Sequence, residues 1–275
     1  GAFQNRVAES GPRRSVLRLG NGDCGGQACD LEQSVDDELQ IAVWSIWPGG
    51  TIEIYPSSFA YSGFAVISMP MTIRGMGEEM GEVLLMNSPQ DPLLTYLNPW
   101  DRQDAMLIIL EHIPGSVRVE NLSIFLDSTL PGDNSAIFSE RRSSEQALEW
   151  HEFRRLQIAG TGAEGGLYEA FYLGDQNLVQ DCLIHGDYHR CLTFGTRSSD
   201  DRETPASTNR VVNLTCRLVG ESPLAPEAAF GVASVVDTLF VNVVLESVAE
   251  VPLFIAQRRS SGDTGVTALD VPESI

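Results

Sequence analysis

Residues 49–77 read GGTIEIYPSSFAYSGFAVISMPMTIRGMG. Three bursts of β-forming residues, TIEIY, FAVIS and MTIRG, follow one another with no space for a helix between them. Strands that short and that dense need neighbours from elsewhere in the chain to bury their apolar face. Downstream, a loose phrase recurs: VRVENLSIF at 117–125, EFRRLQIAG at 152–160, LVQDCLIHG at 178–186, RVVNLTCRL at 210–218 and LFVNVVLES at 239–247. Aligned on Asn121, Arg155, Asp181, Asn213 and Asn242, the phrases are spaced by 34, 26, 32 and 29 residues. The positions one and three residues later are apolar each time: Leu122/Ile124, Leu156/Ile158, Cys182/Ile184, Leu214/Cys216 and Val243/Leu245. Period-two alternation puts each pair on one buried face, after a polar turn residue. A further burst sits between successive phrases: AIFSE at 136–140, GLYEAFYLG at 166–174, HRCLTFG at 189–195, FGVAS at 230–234 and PLFIAQ at 252–257. The unit is three short strands in about 30 residues, and only stacking such units gives a continuous core.

Upstream, Leu31, Val35, Leu39, Val43 and Ile46 share one helical face. Asp30 reads as an N-cap with Gln33 three residues on, and Pro48-Gly49-Gly50 as the stop, so a helix is expected over 31–46. A stack has open ends, and this helix stands where the first would need covering. Residues 1–30 read as an irregular lead-in, 31–257 as the stacked domain and 258–275 as a tail. Between 83 and 116 there are more strand-like runs than one coil needs, so an insertion is expected near Asn87–Asp104. The main competing architecture, a β-sandwich, would need antiparallel hairpins, whose Asn-Gly and Asp-Gly signals are scarce.

Composition narrows the function classes. The chain has 38 acidic residues against 18 basic ones, a net charge of −20, and every basic residue is arginine. A GC-rich genome explains the missing lysine; adaptation to salt, which screens a strongly anionic surface, is the other reading. Such a surface repels phosphates and anionic lipid, excluding nucleic acid and a membrane surface as partners. The longest apolar runs are too short to span a bilayer, so no membrane insertion is expected. Cys24 and Cys29 bracket a short flexible loop and read as a disulfide, which favours an extracellular or surface location. Cys182, Cys191 and Cys216 read as small buried thiols.

The run 39–77, with its helix, Pro-Gly, TIEIY and MTIRG, resembles the capping helix and first coil of the pectin-lyase-like superfamily. The later turn phrases resemble the asparagine ladder of that fold. The resemblance covers roughly 31–257 and implies an all-β, right-handed parallel β-helix with three short strands per coil. It also implies that any chemistry lies on an outer strand groove that grips polysaccharide. The enzyme motifs do not follow. Gln180-Asp181-Cys182-Leu183 resembles part of the pectin methylesterase pattern, but Leu192-Thr193-Phe194-Gly195 stands where a catalytic aspartate belongs. His185-Gly186 is similar to the polygalacturonase histidine, but Asp200-Asp201 follow it instead of preceding it. The Arg-x-Pro setting of pectate lyases is missing from the strand runs.

The densest polar cluster is HGDYHR at 185–190. If the chain is an enzyme, His185, Asp187 and His189, with Glu169 from a neighbouring coil, are the candidate acid–base groups. Tyr168, Tyr188 and Arg190 are the candidate binding groups. A solvated turn between strands accounts for the same residues. Trp150 and His151 stand before a strand, where an exposed indole would stack on a sugar ring and a packed one would anchor a loop. Asp175, Asp187, Asp200 and Asp201 make a weak case for Ca²⁺; no Asp-x-Asp-x-Asp loop is present and no other cofactor or metal is implied. Asn121 and Asn213 lie in glycosylation sequons, which their place in the turn ladder explains.

The expectation is a surface, appendage or virion component with a structural, assembly or glycan-binding role. Its partners would be a glycan, other surface proteins or its own copies. A polysaccharide-active lyase or hydrolase using the outer groove is the alternative. A third reading is a piece of a larger surface protein, with RRSSGDTG at 258–265 as its exit linker.

Overall fold

The computed structural model describes residues 13–32, 38–86, 104–110, 113–127, 134–139, 149–161, 167–194, 206–218, 230–232, 235–236, 238–247 and 254–256. In chain order these form β1 (Arg14–Gly20), β2 (Leu31–Glu32), α1 (Glu38–Ser45), β3 (Ile46–Ile54), β4 (Tyr61–Ser62), β5 (Ala65–Ile67), β6 (Met71–Gly75) and β7 (Leu84–Met86). There follow β8 (Asp104–Ile109), β9 (Val117–Asp127), β10 (Asn134–Ser139), β11 (His151–Thr161), β12 (Leu167–Leu173), β13 (Asn177–Gly186) and β14 (Tyr188–Phe194). The last are β15 (Ala206–Ser207), β16 (Arg210–Leu218), β17 (Phe230–Val232), β18 (Val235–Val236), β19 (Leu239–Ser247) and β20 (Phe254–Ala256).

Every strand pair among the described residues is parallel. The first sheet runs β19-β16-β13-β11-β9-β6-β3-β1-β2, and the second runs β20-β17-β14-β12-β10-β8-β5. The chain alternates between the sheets and climbs one position per circuit, which makes the molecule a parallel β-helix. The opening bursts TIEIY, FAVIS and MTIRG become β3, β5 and β6, one circuit in which β6 stacks on β3 with Thr51 opposite Thr72.

Each long strand of the first sheet bends at one residue. Asn121, Arg155, Asp181, Asn213 and Asn242 all have φ between 51° and 57°. That left-handed conformation costs most side chains about 1–2 kcal/mol, and asparagine and aspartate tolerate it best. Asn242 Nδ2 donates to Asn213 Oδ1 at 2.9 Å, and Asn213 Nδ2 to Asp181 Oδ1 at 2.7 Å. Asn121 Nδ2 donates instead to the carbonyls of Gly75 and Gly77. The bend divides each strand into two arms, which with the second-sheet strand makes three per coil.

The core is the stack of apolar positions expected from the phrases. Leu122, Leu156, Cys182 and Leu214 lie in register, as do Ile124, Ile158, Ile184 and Cys216. All are buried. Leu107, Ile137, Phe171 and Leu192 face them from the second sheet. Fully burying one such side chain stabilises by about 1.5–3 kcal/mol.

The helix covers the first edge, but it is shorter than expected. Leu31 and Glu32 form a strand beside Leu19 and Gly20, and helix begins at Glu38 among the described residues. Asp30 is no N-cap: its carboxylate accepts the Arg18 backbone N–H at 2.9 Å and pairs with Arg14. Leu39, Ala42 and Val43 of α1 enter the core. Gln40 accepts the Val66 N–H at 2.7 Å and Glu38 accepts the Ser62 N–H at 3.1 Å, so helix side chains satisfy backbone groups at the start of the stack. The described part of the lead-in, from residue 13, is also more regular than expected. β1 is a full member of the first sheet, with Leu17 and Leu19 buried, because Val16–Leu19 pair along Thr51–Ile54. Of the insertion expected near Asn87–Asp104, all but Asp104, the first residue of β8, lies outside the described residues, as does the tail at 258–275.

Two disulfides close. Cys24–Cys29 staples the loop after β1, as expected. Cys191–Cys216 corrects the reading of those two residues as thiols: it joins β14 to β16 through the interior, linking the two sheets between successive coils. Only Cys182 is free among the described residues; burial pushes its thiol up to about 12, so it stays protonated and packs as a small apolar group.

Candidate functional site

The expected cluster does not assemble into one exposed site. Glu169 on β12 is buried, accepting hydrogen bonds from Ser135 Oγ at 3.0 Å and Thr193 Oγ1 at 3.1 Å. Arg190, its register partner on β14, is buried too. Tyr188 is buried, with its hydroxyl donating to the Ala159 carbonyl at 3.1 Å and its pKa pushed far up by burial. A polymer in an outer groove cannot reach these three, which corrects their reading as surface groups. Buried polar side chains need partners inside, and these have them. His185 lies on the other sheet, half-buried, with Ala159 and Arg217 as register neighbours and Gln157 Nε2 at 3.3 Å. Burial, and then the Arg217 charge, lower its pKa and favour the neutral ring. Asp187 sits at the corner between the sheets, where its N–H donates to the Gly160 carbonyl. Gly186 precedes it at φ 123°, and a Cβ there would collide with that same carbonyl. The side chains of Tyr168 and His189, with Asp200 and Asp201, lie outside the described set. Asp175 is buried, and no group of three metal-ligating side chains gathers among the described residues.

A different constellation does form, on the outer face of the first sheet before the bend. Two outward rows cross the coils there. One runs Thr72, Arg118, Glu152, Leu178, Arg210 and Leu239. The other runs Arg18, Glu53, Arg74, Glu120, Arg154, Gln180, Val212 and Val241. Parallel strands about 4.8 Å apart bring opposite charges together on consecutive coils. Arg18 pairs with Glu53 at 3.6 Å and Arg74 with Glu120. Glu152 is shared between Arg118 at 2.7 Å and Arg154 at 3.0 Å, both ionic contacts without hydrogen-bond alignment. Pairs this exposed contribute about 0–1 kcal/mol each, so the ladder sets the chemistry of the face more than the stability of the fold.

Two clefts lie along this face. The larger encloses about 510 Å³ and is lined by Ser116, Arg118, Glu149, Trp150, Glu152, Leu178 and Arg210. Its indole is held in place: the Trp150 carbonyl accepts the Ser116 hydroxyl, and the next residue, His151, is buried with Nδ1 accepting the Val117 N–H at 3.0 Å. The Arg210 guanidinium lies over the Trp150 ring, 4.8 Å from its centroid. The smaller cleft, about 340 Å³, is lined by Arg74, Gly75, Glu120, Asn121, Arg154, Arg155, Gln180 and Asp181. The clefts adjoin, since Arg118 and Glu120, Glu152 and Arg154, and Leu178 and Gln180 are each two residues apart on the same strands. The signal for this face was present in the aligned phrases, at the positions three and one before the bend.

The strand order makes the fold a parallel β-helix. No protein-family model matches the chain, and no curated protein matches it in sequence. Among solved structures, this β-helix is similar to the pectin methylesterase from Aspergillus niger in deglycosylated form. The identity is 9%, the coverage is 93% of this chain and 94% of that one, and the TM-score is 0.41. It is also similar to Escherichia coli YbhC, at 10% identity over 83% and 84% of the two chains, with a TM-score of 0.35. The architecture of the β-helix rests on its own strand order, and the chemistry of its face on its own residues.

Proposed function

We propose that this β-helix is a glycan-binding module of an oxidising, extracytoplasmic setting, which grips its ligand on the outer face of the first sheet and carries no catalytic centre of its own. The observation that carries the reading is the larger cleft, where Trp150 stands beside Arg118, Glu152 and Arg210 on a rigid sheet. An aromatic face with fixed planar hydrogen-bonding groups beside it suits a sugar ring, which is apolar on its faces and polar at its rim. Of the arginines lining the clefts, Arg74, Arg118 and Arg154 are matched by Glu120 and Glu152, Glu149 and Asp181 line the clefts as well, and the molecule carries a net charge of −20, so an uncharged glycan fits better than an acidic one. The two disulfides support an extracellular or surface location. No helix among the described residues is long and apolar enough to cross a membrane.

The test is retention on a panel of immobilised neutral and acidic polysaccharides, with and without Ca²⁺, while new reducing ends and unsaturated products are followed. The expected result is Ca²⁺-independent binding to a neutral glycan without cleavage, weakened at least about tenfold by Trp150→Ala, the scale for losing one stacked aromatic at about 1.4 kcal/mol. Retention that Trp150→Ala leaves unchanged overturns the assignment to this cleft. Cleavage of any polysaccharide establishes the enzymatic alternative in the same groove, and no retention at all leaves a structural or assembly role.

A further inference from the structure

The capped end of the first sheet carries an irregularity that puts a second tryptophan into solvent. β1 pairs with β3 at Arg14 opposite Ile46, and again at Val16 opposite Thr51. Between those pairs β1 has Ser15 alone, whereas β3 has Trp47, Pro48, Gly49 and Gly50. The extra residues leave the ladder as a bulge, a device that re-aims a side chain. Its glycines allow the sharp path: Gly49 has φ 80°, and a Cβ on Gly50 would collide with the Ser15 carbonyl and the Ile46 side chain. Trp47, Pro48 and Gly49 are exposed, and Trp47 is 54% open to solvent.

Of the described tryptophans, Trp44 packs against the core. The other two share an arrangement. The Arg13 guanidinium lies over the Trp47 ring, 5.7 Å from its centroid, as Arg210 lies over Trp150 at 4.8 Å. At an exposed site such a contact is worth about 0.5–1 kcal/mol, enough to steady the indole while most of Trp47 stays wet.

Hydrogen bonds step from one indole to the other. The Gly49 N–H donates to the Pro70 carbonyl at 2.6 Å, the Met71 N–H to the Ser116 carbonyl at 3.2 Å, and the Ser116 hydroxyl to the Trp150 carbonyl. Trp47 and Trp150 therefore stand at the two ends of one column, at the start of the first-sheet strands. β3, β6, β9 and β11 are consecutive in that sheet, so the ends are about 14 Å apart along the stack, at about 4.8 Å per coil. Between them lie Pro70 and Ser116 in the column, and Thr51 and Thr72 in the row beside it. None of the four is charged.

We propose that Trp47 is a second stacking platform for the same neutral glycan, so that one saccharide chain lies along the stack with one ring on Trp150 and another on Trp47. The inference rests on the glycan-binding reading of the larger cleft and adds a length requirement to it. A disaccharide on Trp150 is too short to reach Trp47, and a hexasaccharide spans the gap. The Thr51 and Thr72 hydroxyls serve the polar rims of the rings between, where no charge has to be desolvated.

The test uses neutral oligosaccharides of the β-gluco, β-manno and β-xylo series, from disaccharide to hexasaccharide, added to the full chain labelled with 5-fluorotryptophan. Single Trp→Phe variants assign the fluorine resonances. The hexasaccharide of at least one series is expected to shift the Trp47 and Trp150 resonances together, and its disaccharide that of Trp150 alone. By calorimetry, Trp47→Ala is expected to weaken the hexasaccharide at least about tenfold and to leave the disaccharide within about twofold, whereas Trp150→Ala weakens both. Trp47→Phe, which keeps a ring, is expected to recover most of the loss. Movement of Trp150 alone, or a Trp47→Ala variant with wild-type hexasaccharide affinity, overturns the second platform and leaves the larger cleft standing. Movement of Trp47 alone overturns the span and the assignment to that cleft. Movement of neither overturns this inference together with the reading on which it rests.

Discussion

Asn213 is the position where the bend ladder can be dissected. Its φ is 53°, and its side chain both donates to Asp181 at 2.7 Å and accepts from Asn242 at 2.9 Å. Asn213→Ala removes two exposed hydrogen bonds, at about 0.5 kcal/mol each. It also leaves a Cβ in the left-handed region without local polar compensation, about 1 kcal/mol more. The expected loss is about 2 kcal/mol. Asn213→Gly loses the same two bonds but not the backbone strain, and its freer unfolded chain costs a few tenths of a kcal/mol, so it is expected to lose about 1–1.5 kcal/mol. Urea unfolding followed by circular dichroism measures both, provided the slope against denaturant stays constant. The ordering is the diagnostic: removal of a side chain with ordinary backbone would make alanine the better replacement. A glycine variant no more stable than the alanine one, or an alanine variant equal to the wild type, refutes the account of the bend.

Other consequences are open to measurement. Reducing Cys191–Cys216, or replacing both by serine, frees a loop of 25 residues and is expected to cost about 3.5 kcal/mol, read as a lower melting temperature and a shifted urea midpoint; no change would mean that the bridge does not form. His185 has a lowered folded pKa, so between that value and the unfolded one near 6.5 the unfolded chain binds more protons. Its contribution is therefore present above about pH 6.5 and lost as pH falls through the folded pKa. His185→Gln is expected to flatten that part of the stability–pH curve, measured by urea unfolding across pH, and Arg217→Gln to raise the His185 pKa part of the way, measured by NMR titration.

Much of the architecture was legible because a solenoid writes its long-range contacts as a local repeat. The five aligned residues 121, 155, 181, 213 and 242 are the five bends, and the apolar pairs after them are the stacked core. The same phrases carried the outer face, since Arg118, Glu152 and Arg210 occupy one aligned position. What misled was HGDYHR, read as one cluster because its residues are neighbours in the chain. At Gly186 and Asp187 the chain turns from one sheet to the other, so His185 stays half-buried on the first sheet while Tyr188 enters the core and Arg190 is buried on the second.

The sequence by itself determined the coil, its length and the inward residues, because period-two alternation and a left-handed bend are local properties of a strand. Only the tertiary structure decided which polar residues meet. Cys191 finds Cys216 across the core, Glu169 lies buried beside Arg190, and Trp150 lies under Arg210 from a strand two coils on. Those meetings depend on how one coil is set over the next, a register fixed by the whole stack of side chains.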